Sequence, residues 1–379
     1  MTSLMAVPRL MIKSVLGYNE VDESTMMTMM KFLILSCLCC QATSIALVSR
    51  YSKGILKERY SNNEIVFWSE VLKLLVSMVM IYKENSSSST NYLNRLVSLL
   101  KNSQRILLIV GLYSFINVLS FHALGLLNAA VYTILIQLKV LTTAFFGVYM
   151  LKNNLSLGQW FSLFHMVMGS ILIVSGGSQK GNNVDDAKQQ VSNYVEGILM
   201  VFVIVTISGY SAVFMEKVFK SIEDKDKFES VDANDKDIAA DDREKLLIDR
   251  DKESTMMMSS PSIWDRNFQL AFFSMLLMLL ILVLSNAMSQ SEDTTTGPFA
   301  HWSTYATVLL FLQGGGGLLA AATLKYTNAN LKTLATTLSI VFSTMLEYCL
   351  MGLHLNLPMI IGILTIIASI SSFTIKPSH

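Results

Sequence analysis

The chain reads as an all-α membrane protein of ten transmembrane helices arranged as two inverted five-helix repeats. Three observations predict this. Ten apolar runs have spanning length; 52% of the 379 residues are hydrophobic and only 15% charged, against roughly 25% charge in soluble domains; and text in the first half recurs in the second at a constant offset. The implied medium is a lipid bilayer. The formal net charge of +1 is almost balanced and sits in loops, so no basic face for nucleic acid is expected.

The runs are 32–49, 64–82, 106–126, 128–151, 157–175, 195–215, 268–288, 303–323, 331–352 and 357–375. A helix needs roughly 20 residues to cross, and backbone groups in hydrocarbon must be satisfied within the segment, which makes the runs helices. Runs three and four are separated only by the Gly125–Asn128 turn, and runs eight and nine only by KYTNAN, so both pairs are tight hairpins. Residues 1–30 contain an amphipathic LMAVPRLMIKSVLGY but no uninterrupted apolar core of a cleavable signal, and the first span is expected to act as its own anchor. Cys37, Cys39, Cys40 and Cys349 all fall in apolar runs, without the spacing of a disulfide framework or a zinc site, and read as packing residues. The five histidines are scattered, and no metal or cofactor site is expected.

The predicted organisation is a cytosolic N-terminal segment (1–30), a first five-helix repeat (31–180), the sixth helix opening the second repeat (181–219), a disordered charged cytosolic loop (220–260) and helices seven to ten (261–379). The loop is dense in both charge signs and nearly free of aromatics. Its D-x-D triplets, Asp224/Asp226, Asp235/Asp237 and Asp249/Asp251, resemble a glycosyltransferase metal motif but are expected by chance in so Asp-rich a stretch. Ser86–Ser89 reads as a second flexible connector. Lysines and arginines concentrate on the side of the N-terminus, placing both termini in the cytosol, although RYSKGILKER in the first loop runs against that bias. The sequons at Asn85 and Asn154 then lie on the cytosolic side and stay unmodified.

Shifting by 200 residues lays Asn128-Ala129 on Asn328-Ala329, Thr133 on Thr333, Leu138 on Leu338, Leu155 on Leu355 and Leu157 on Leu357. Five spans per repeat reverse the second repeat in the membrane, an architecture with the substrate site at the repeat interface.

Within this frame the costly residues are the informative ones. Lys139, beside Gln137 near the middle of span four, costs about 2.5–3.5 kcal/mol to insert, so it should face a protein interior or a cavity where an anion meets it. Tyr132, Ile136 and Lys139 fall at i, i+4 and i+7 on one helical face, suited to a ligand with an aromatic ring and a phosphate; the alternatives are an interfacial tyrosine and a lysine paired with a carboxylate. Glu70 and Lys73, at i and i+3, either neutralise one another or line the same cavity. Tyr113 and Asn117 face together on span three, where an Asn can also simply tie helices. Gly314–Gly317 weakens its helix by about 1 kcal/mol per residue, to be offset by close helix packing or by a ligand against bare backbone. Glu347 has no evident partner.

Six blocks, SEVLKLLVS (69–77), AAVYTILIQLKVLTTAFF (129–146), SGYSAVFMEKVFK (208–220), DRNFQ (265–269), GGGLLAAATLKYTNANLK (315–332) and TTLSIVFST (336–344), resemble the nucleotide-sugar transporters of the Golgi and endoplasmic reticulum. The branch is the one carrying UDP-galactose, UDP-N-acetylglucosamine and CMP-sialic acid. The resemblance implies a multi-pass protein of the Golgi membrane, with the endoplasmic reticulum or another organelle as the alternative, cytosolic termini and no enzymatic activity. It also implies an antiporter that exchanges a cytosolic nucleotide sugar for the luminal nucleoside monophosphate, and it leaves open a homodimer or association with glycosyltransferases. Carried onto matching positions, Lys139 and Lys325 would meet the phosphates; Tyr113, Asn117 and Tyr132 would contact the nucleotide; and Asn267 would be a further cavity position. Glu70, Lys73, Gly315 and Gly316 would act in gating or sugar contact.

This chain departs from the family pattern in having Ile116 before Asn117, Ile136 before QLK, and KYTNAN in place of KYxDN. LTTA and TTLSI resemble the UDP-sugar members more than the CMP-sialate member, which orders the expected substrates as UDP-galactose, then UDP-N-acetylglucosamine. The competing readings are a CMP-sialic acid transporter and a drug or metabolite exporter of the same fold.

Overall fold

The computed structural model describes residues 23–85, 92–101, 103–127, 129–177, 187–232, 262–288, 302–352 and 354–374. Every element among them is helical: α1 (Glu23–Ser49, continued by a π-helical turn, Arg50–Ile55), α2 (Asn62–Asn85), α3 (Tyr92–Lys101), α4 (Gln104–Leu126), α5 (Ala129–Ile136), α6 (Lys139–Leu151), α7 (Leu157–Gly177), α8 (Ala187–Asp232), α9 (Ile263–Met288), α10 (Thr304–Tyr326), α11 (Ala329–Met351) and α12 (Leu357–Thr374). Ten segments are long and apolar enough to cross a membrane, and each coincides with one of the ten runs; α5 and α6 together form the fourth.

Both expected hairpins are short because their ends are capped locally. Leu127, in extended conformation, ends α4. The Asn328 side chain accepts the Leu331 N–H at 2.8 Å and starts α11. At its far end α11 stops at Gly352, whose φ of 67° lies in the left-handed region that glycine enters without Cβ strain.

Three features differ from the sequence reading. Span four is not one helix: at Gln137–Leu138 the bonding tightens to i→i+3, with Gln137 N–H donating to Ile134 and Leu138 N–H to Leu135. The sixth helix does not end near 219 but continues to Asp232, so Asp224 and Asp226 are helical, while the other two D-x-D triplets, Ser86–Ser89 and residues 1–22 lie outside the described residues. Finally, α3 is an amphipathic helix that buries Leu96 and Leu99. Arg95 anchors it, its Nη2 donating to Asp265 Oδ1 at 3.0 Å and Oδ2 at 2.8 Å at the start of α9.

The crossings pair as α2 with α9, α7 with α12, α4 and α6 with α8, α10 and α11 with α1, α10 with α2, and α4 with α9. The α7–α12 contact is closest where Gly169 and Gly362 meet; a Cβ on Gly362 would stand 2.6 Å from the Gly169 carbonyl oxygen. Around this contact Leu163, Met166, Ile173, Val341, Ile363 and Ile366 form the core of one end of the bundle. An even number of crossings puts the start of α1 and the end of α12 on one face, called here the terminal face. The starts of α5 and α12 and the ends of α1, α7 and α11 lie on the opposite face.

Candidate functional site

Lys139 is the first residue of α6, directly after the break. Lys332, one turn into α11, lies near enough for the charge of Lys139 to bear on it. Both side chains are half-buried, and among the described residues no carboxylate pairs with either. Two cations held together out of bulk water without a counter-ion are unfavourable unless an anion completes the site. Lys332 is absent from the residues nominated by sequence, because as the second residue of the run 331–352 it reads as one more cation at a membrane edge.

Lys325 is in the last turn of α10, and its Nζ lies 5.6 Å from the centre of the Tyr326 ring. Tyr132 and Ile136 pack against the same cluster, which includes Ala123, Val201 and Val205, while Lys139 begins the separate helix that follows the break. Tyr113 is packed between α4 and α8, its hydroxyl 3.9 Å from Met215 Sδ. Asn117, one turn on, is half-buried. Asn267 is buried, and its Nδ2 has no hydrogen-bond partner among the described residues, a donor available to a ligand.

Glu70 and Lys73 form an ion pair at 2.6 Å, and the second carboxylate oxygen, Glu70 Oε2, is buried without a partner among the described residues. The glycine run is explained largely by packing. A Cβ on Gly314 would stand 2.9 Å from Leu72 Cδ2, one on Gly316 would collide with the Gln41 amide, and one on Gly317 would stand 2.6 Å from Lys73 Cδ, whereas Gly315 has open space beside it. The bare helix surface thus admits side chains of α1 and α2; Gln41 also donates to the Leu312 carbonyl at 2.9 Å.

The two faces of the bundle differ. On the terminal face, α6 and α11 touch: a Cβ on Gly147 would lie 3.5 Å from Asn330 Nδ2 and 3.7 Å from Asn153 Nδ2. On the opposite face, a cavity of about 310 Å³ separates Thr133 of α5 from Ser343, Thr344 and Glu347 of α11, with Arg50 at the same mouth. Glu347 is not unpartnered: its Oε2 lies 2.7 Å from Arg50 Nη1.

A sequence profile describing nucleotide-sugar transporters matches residues 26–225 and 252–374, nearly the whole described chain. The chain belongs to the nucleotide-sugar transporter family. It is 30% identical to a UDP-N-acetylglucosamine transporter of Canis lupus familiaris over 330 residues, covering 85% of this chain and 88% of that protein. It is 28% identical to a UDP-galactose transporter of Schizosaccharomyces pombe over 355 residues, 92% and 88% of the two chains, and 28% identical to a UDP-galactose translocator of Mus musculus over 332 residues, 86% and 74%. A solved crystal structure at 13% identity superimposes with a TM-score of 0.59 over 91% of this chain and 96% of its own, a likeness of fold.

Proposed function

We propose that the protein is an antiporter of the Golgi membrane that exchanges a cytosolic UDP-hexose, UDP-galactose or UDP-N-acetylglucosamine, for luminal UMP by alternating access. The observation that carries this reading is the pair Lys139 and Lys332, neighbouring cations without a carboxylate among the described residues. In this proposal their ammonium groups hold the phosphates. Asn267, Tyr113, Asn117 and Tyr132 contact the nucleotide, the buried Asn267 Nδ2 supplying a donor that is otherwise unused. Lys325 stays outside the phosphate site.

Two inverted five-helix repeats are the proposed frame. Exchanging the first five crossings for the last five turns the pairing of α4 with α8 into that of α10 with α1, α6 with α8 into α11 with α1, and α2 with α10 into α9 with α4, while α2–α9 and α7–α12 map onto themselves. Such symmetry fits the 200-residue offset in the sequence. Closure at the terminal face with a cavity at the other suits one of the two end states, open to the lumen if the termini are cytosolic. Exchange follows from electrostatics, because closing an empty site around two unneutralised lysines is costly.

The test is uptake of labelled UDP-galactose and UDP-N-acetylglucosamine into proteoliposomes preloaded with UMP. Stimulation by internal UMP, abolished in Lys139→Ala, is the expected result. Uptake indifferent to UMP together with normal transport by Lys139→Ala, or efflux driven by a proton gradient alone, would overturn the reading. A glycan on Asn85 or Asn154 would overturn the orientation.

A further inference from the structure

The cavity on the face opposite the termini lies apart from the lysine pair and has its own chemistry. Its wall includes Arg50, Thr133, Ile340, Ser343, Thr344 and Glu347. Arg50 and Glu347 neutralise one another at 2.7 Å, so the cavity does not attract an anion by net charge. Ser343 and Thr344 both donate their hydroxyl protons to the Ile340 carbonyl, at 3.0 Å and 2.8 Å, and therefore have only lone pairs left to offer a ligand. A carboxylate likewise only accepts, and Arg50 occupies one side of it. An acceptor-rich wall is complementary to a group dense in O–H donors. A phosphate, which is itself all acceptor, fits it poorly; a hexose ring, with several hydroxyls and an apolar C–H face to lay on Ile340, fits it well.

The cavity is also connected to the lysines. Lys332, Thr336, Ser339, Ser343 and Glu347 recur at steps of four, three, four and four residues, one face of α11. Along it, Thr336 donates to the Thr333 carbonyl at 2.9 Å and Ser339 to the Thr336 carbonyl at 2.7 Å, which extends the row of acceptor oxygens toward the lysine. On the facing wall, Thr133 precedes Lys139 by six residues, about 9 Å at helical rise. A diphosphate-linked hexose anchored by long lysine side chains spans such a gap.

We propose that this cavity is the sugar subsite. The carboxylate of Glu347, oriented by Arg50, and the hydroxyl oxygens of Ser343 and Thr344 accept hydrogen bonds from the hexose hydroxyls of a nucleotide sugar whose phosphates rest at Lys139 and Lys332. The assignment rests on the transport reading given above and deepens it: the subsite distinguishes the sugar-bearing cargo from UMP, which has no hexose to place there.

The experiment measures KM for UDP-galactose, UDP-N-acetylglucosamine and UMP separately, each as uptake by the full chain in proteoliposomes against internal UMP. Glu347→Gln should raise KM for at least one of the UDP-hexoses five- to tenfold relative to KM for UMP. Ser343→Ala, which leaves the Arg50–Glu347 pair untouched, should shift the same ratio two- to threefold, so a folding defect in the first variant does not decide the matter. Glu70→Gln serves as the comparison, since Glu70 Oε2 is a buried carboxylate oxygen without a partner among the described residues. Equal shifts for UDP-hexose and UMP, an unchanged ratio in both α11 variants, or a shift confined to Glu70→Gln would each sink the sugar subsite while wild-type exchange stands. A wild-type protein that does not exchange UDP-hexose for UMP sinks the transport reading, and this assignment with it.

Discussion

Glu216 on α8 reaches across to the first turn of α11, where its Oε2 accepts the Ala329 N–H at 2.6 Å, while its Oε1 receives Lys220 Nζ at 2.6 Å. This buried carboxylate joins the sixth and ninth crossings at the terminal face, beside the contact of Gly147 with Asn330. A negative group at a helix N-terminus satisfies an otherwise orphaned donor and meets the positive end of the helix dipole.

Glu216→Ala should destabilise the protein by about 1–2 kcal/mol, the range for loss of a helix cap. Glu216→Gln keeps an acceptor for the Ala329 N–H and should lose less. The partly exposed Lys220 contributes little to the difference. Thermal unfolding in detergent, followed by size-exclusion chromatography, measures the order wild type, Gln, Ala.

The two basic positions near the α10–α11 hairpin should separate cleanly. Lys332→Ala should reduce UMP-stimulated uptake tenfold or more, as should Lys139→Ala, because each leaves phosphate charge unmatched in a water-poor site. Lys325→Ala removes a cation beside Tyr326 and should stay within about threefold of wild type. Initial rates at equal protein density in the membrane provide the comparison; equal losses for Lys325→Ala and Lys332→Ala would refute the placement of the phosphate site.

Arg95→Ala should be among the more damaging changes outside the membrane core. It strips Asp265, whose side chain is 2% exposed, of its guanidinium partner and frees α3 from the start of α9. Leaving a buried carboxylate unpaired costs about 3–5 kcal/mol, softened here because Asp265 Oδ2 also accepts the Ser262 N–H at 2.8 Å. The expected outcome is a large drop in melting temperature and in the folded yield, with Arg95→Lys intermediate.

The glycine run gives a graded prediction. Gly315→Ala, with nothing within 4 Å of the new methyl, should keep transport and stabilise α10 by up to about 1 kcal/mol. Gly316→Ala displaces the Gln41 amide from the Leu312 carbonyl, and Gly317→Ala pushes on Lys73; both should lower stability. Melting curves of the three variants side by side test the order.

Much of the fold is legible in the sequence because the bilayer leaves few alternatives: an apolar run of spanning length has only the helix available to satisfy its backbone. All ten crossings and both tight hairpins follow from this, and the six blocks of matching text together point to the family. The break at Gln137–Leu138 carries no such signal, as neither glycine nor proline marks it. Helix α3 is too short and polar to register among spans, although Leu96 and Leu99, at i and i+3, do mark an amphipathic face.

Which charges distant in the chain meet is the part that sequence could not supply. Arg50 and Glu347 are 297 positions apart in the chain, and Lys139 and Lys332 are 193 apart, so neither pairing has a local spacing to betray it. By itself the sequence determined the helices, their number and the costly residues within them, because solvent and backbone act locally. Only the tertiary structure decided that Lys332 comes within the electrostatic reach of Lys139, and that Glu347 has Arg50, because those outcomes depend on how rigid helices rotate and tilt as they pack.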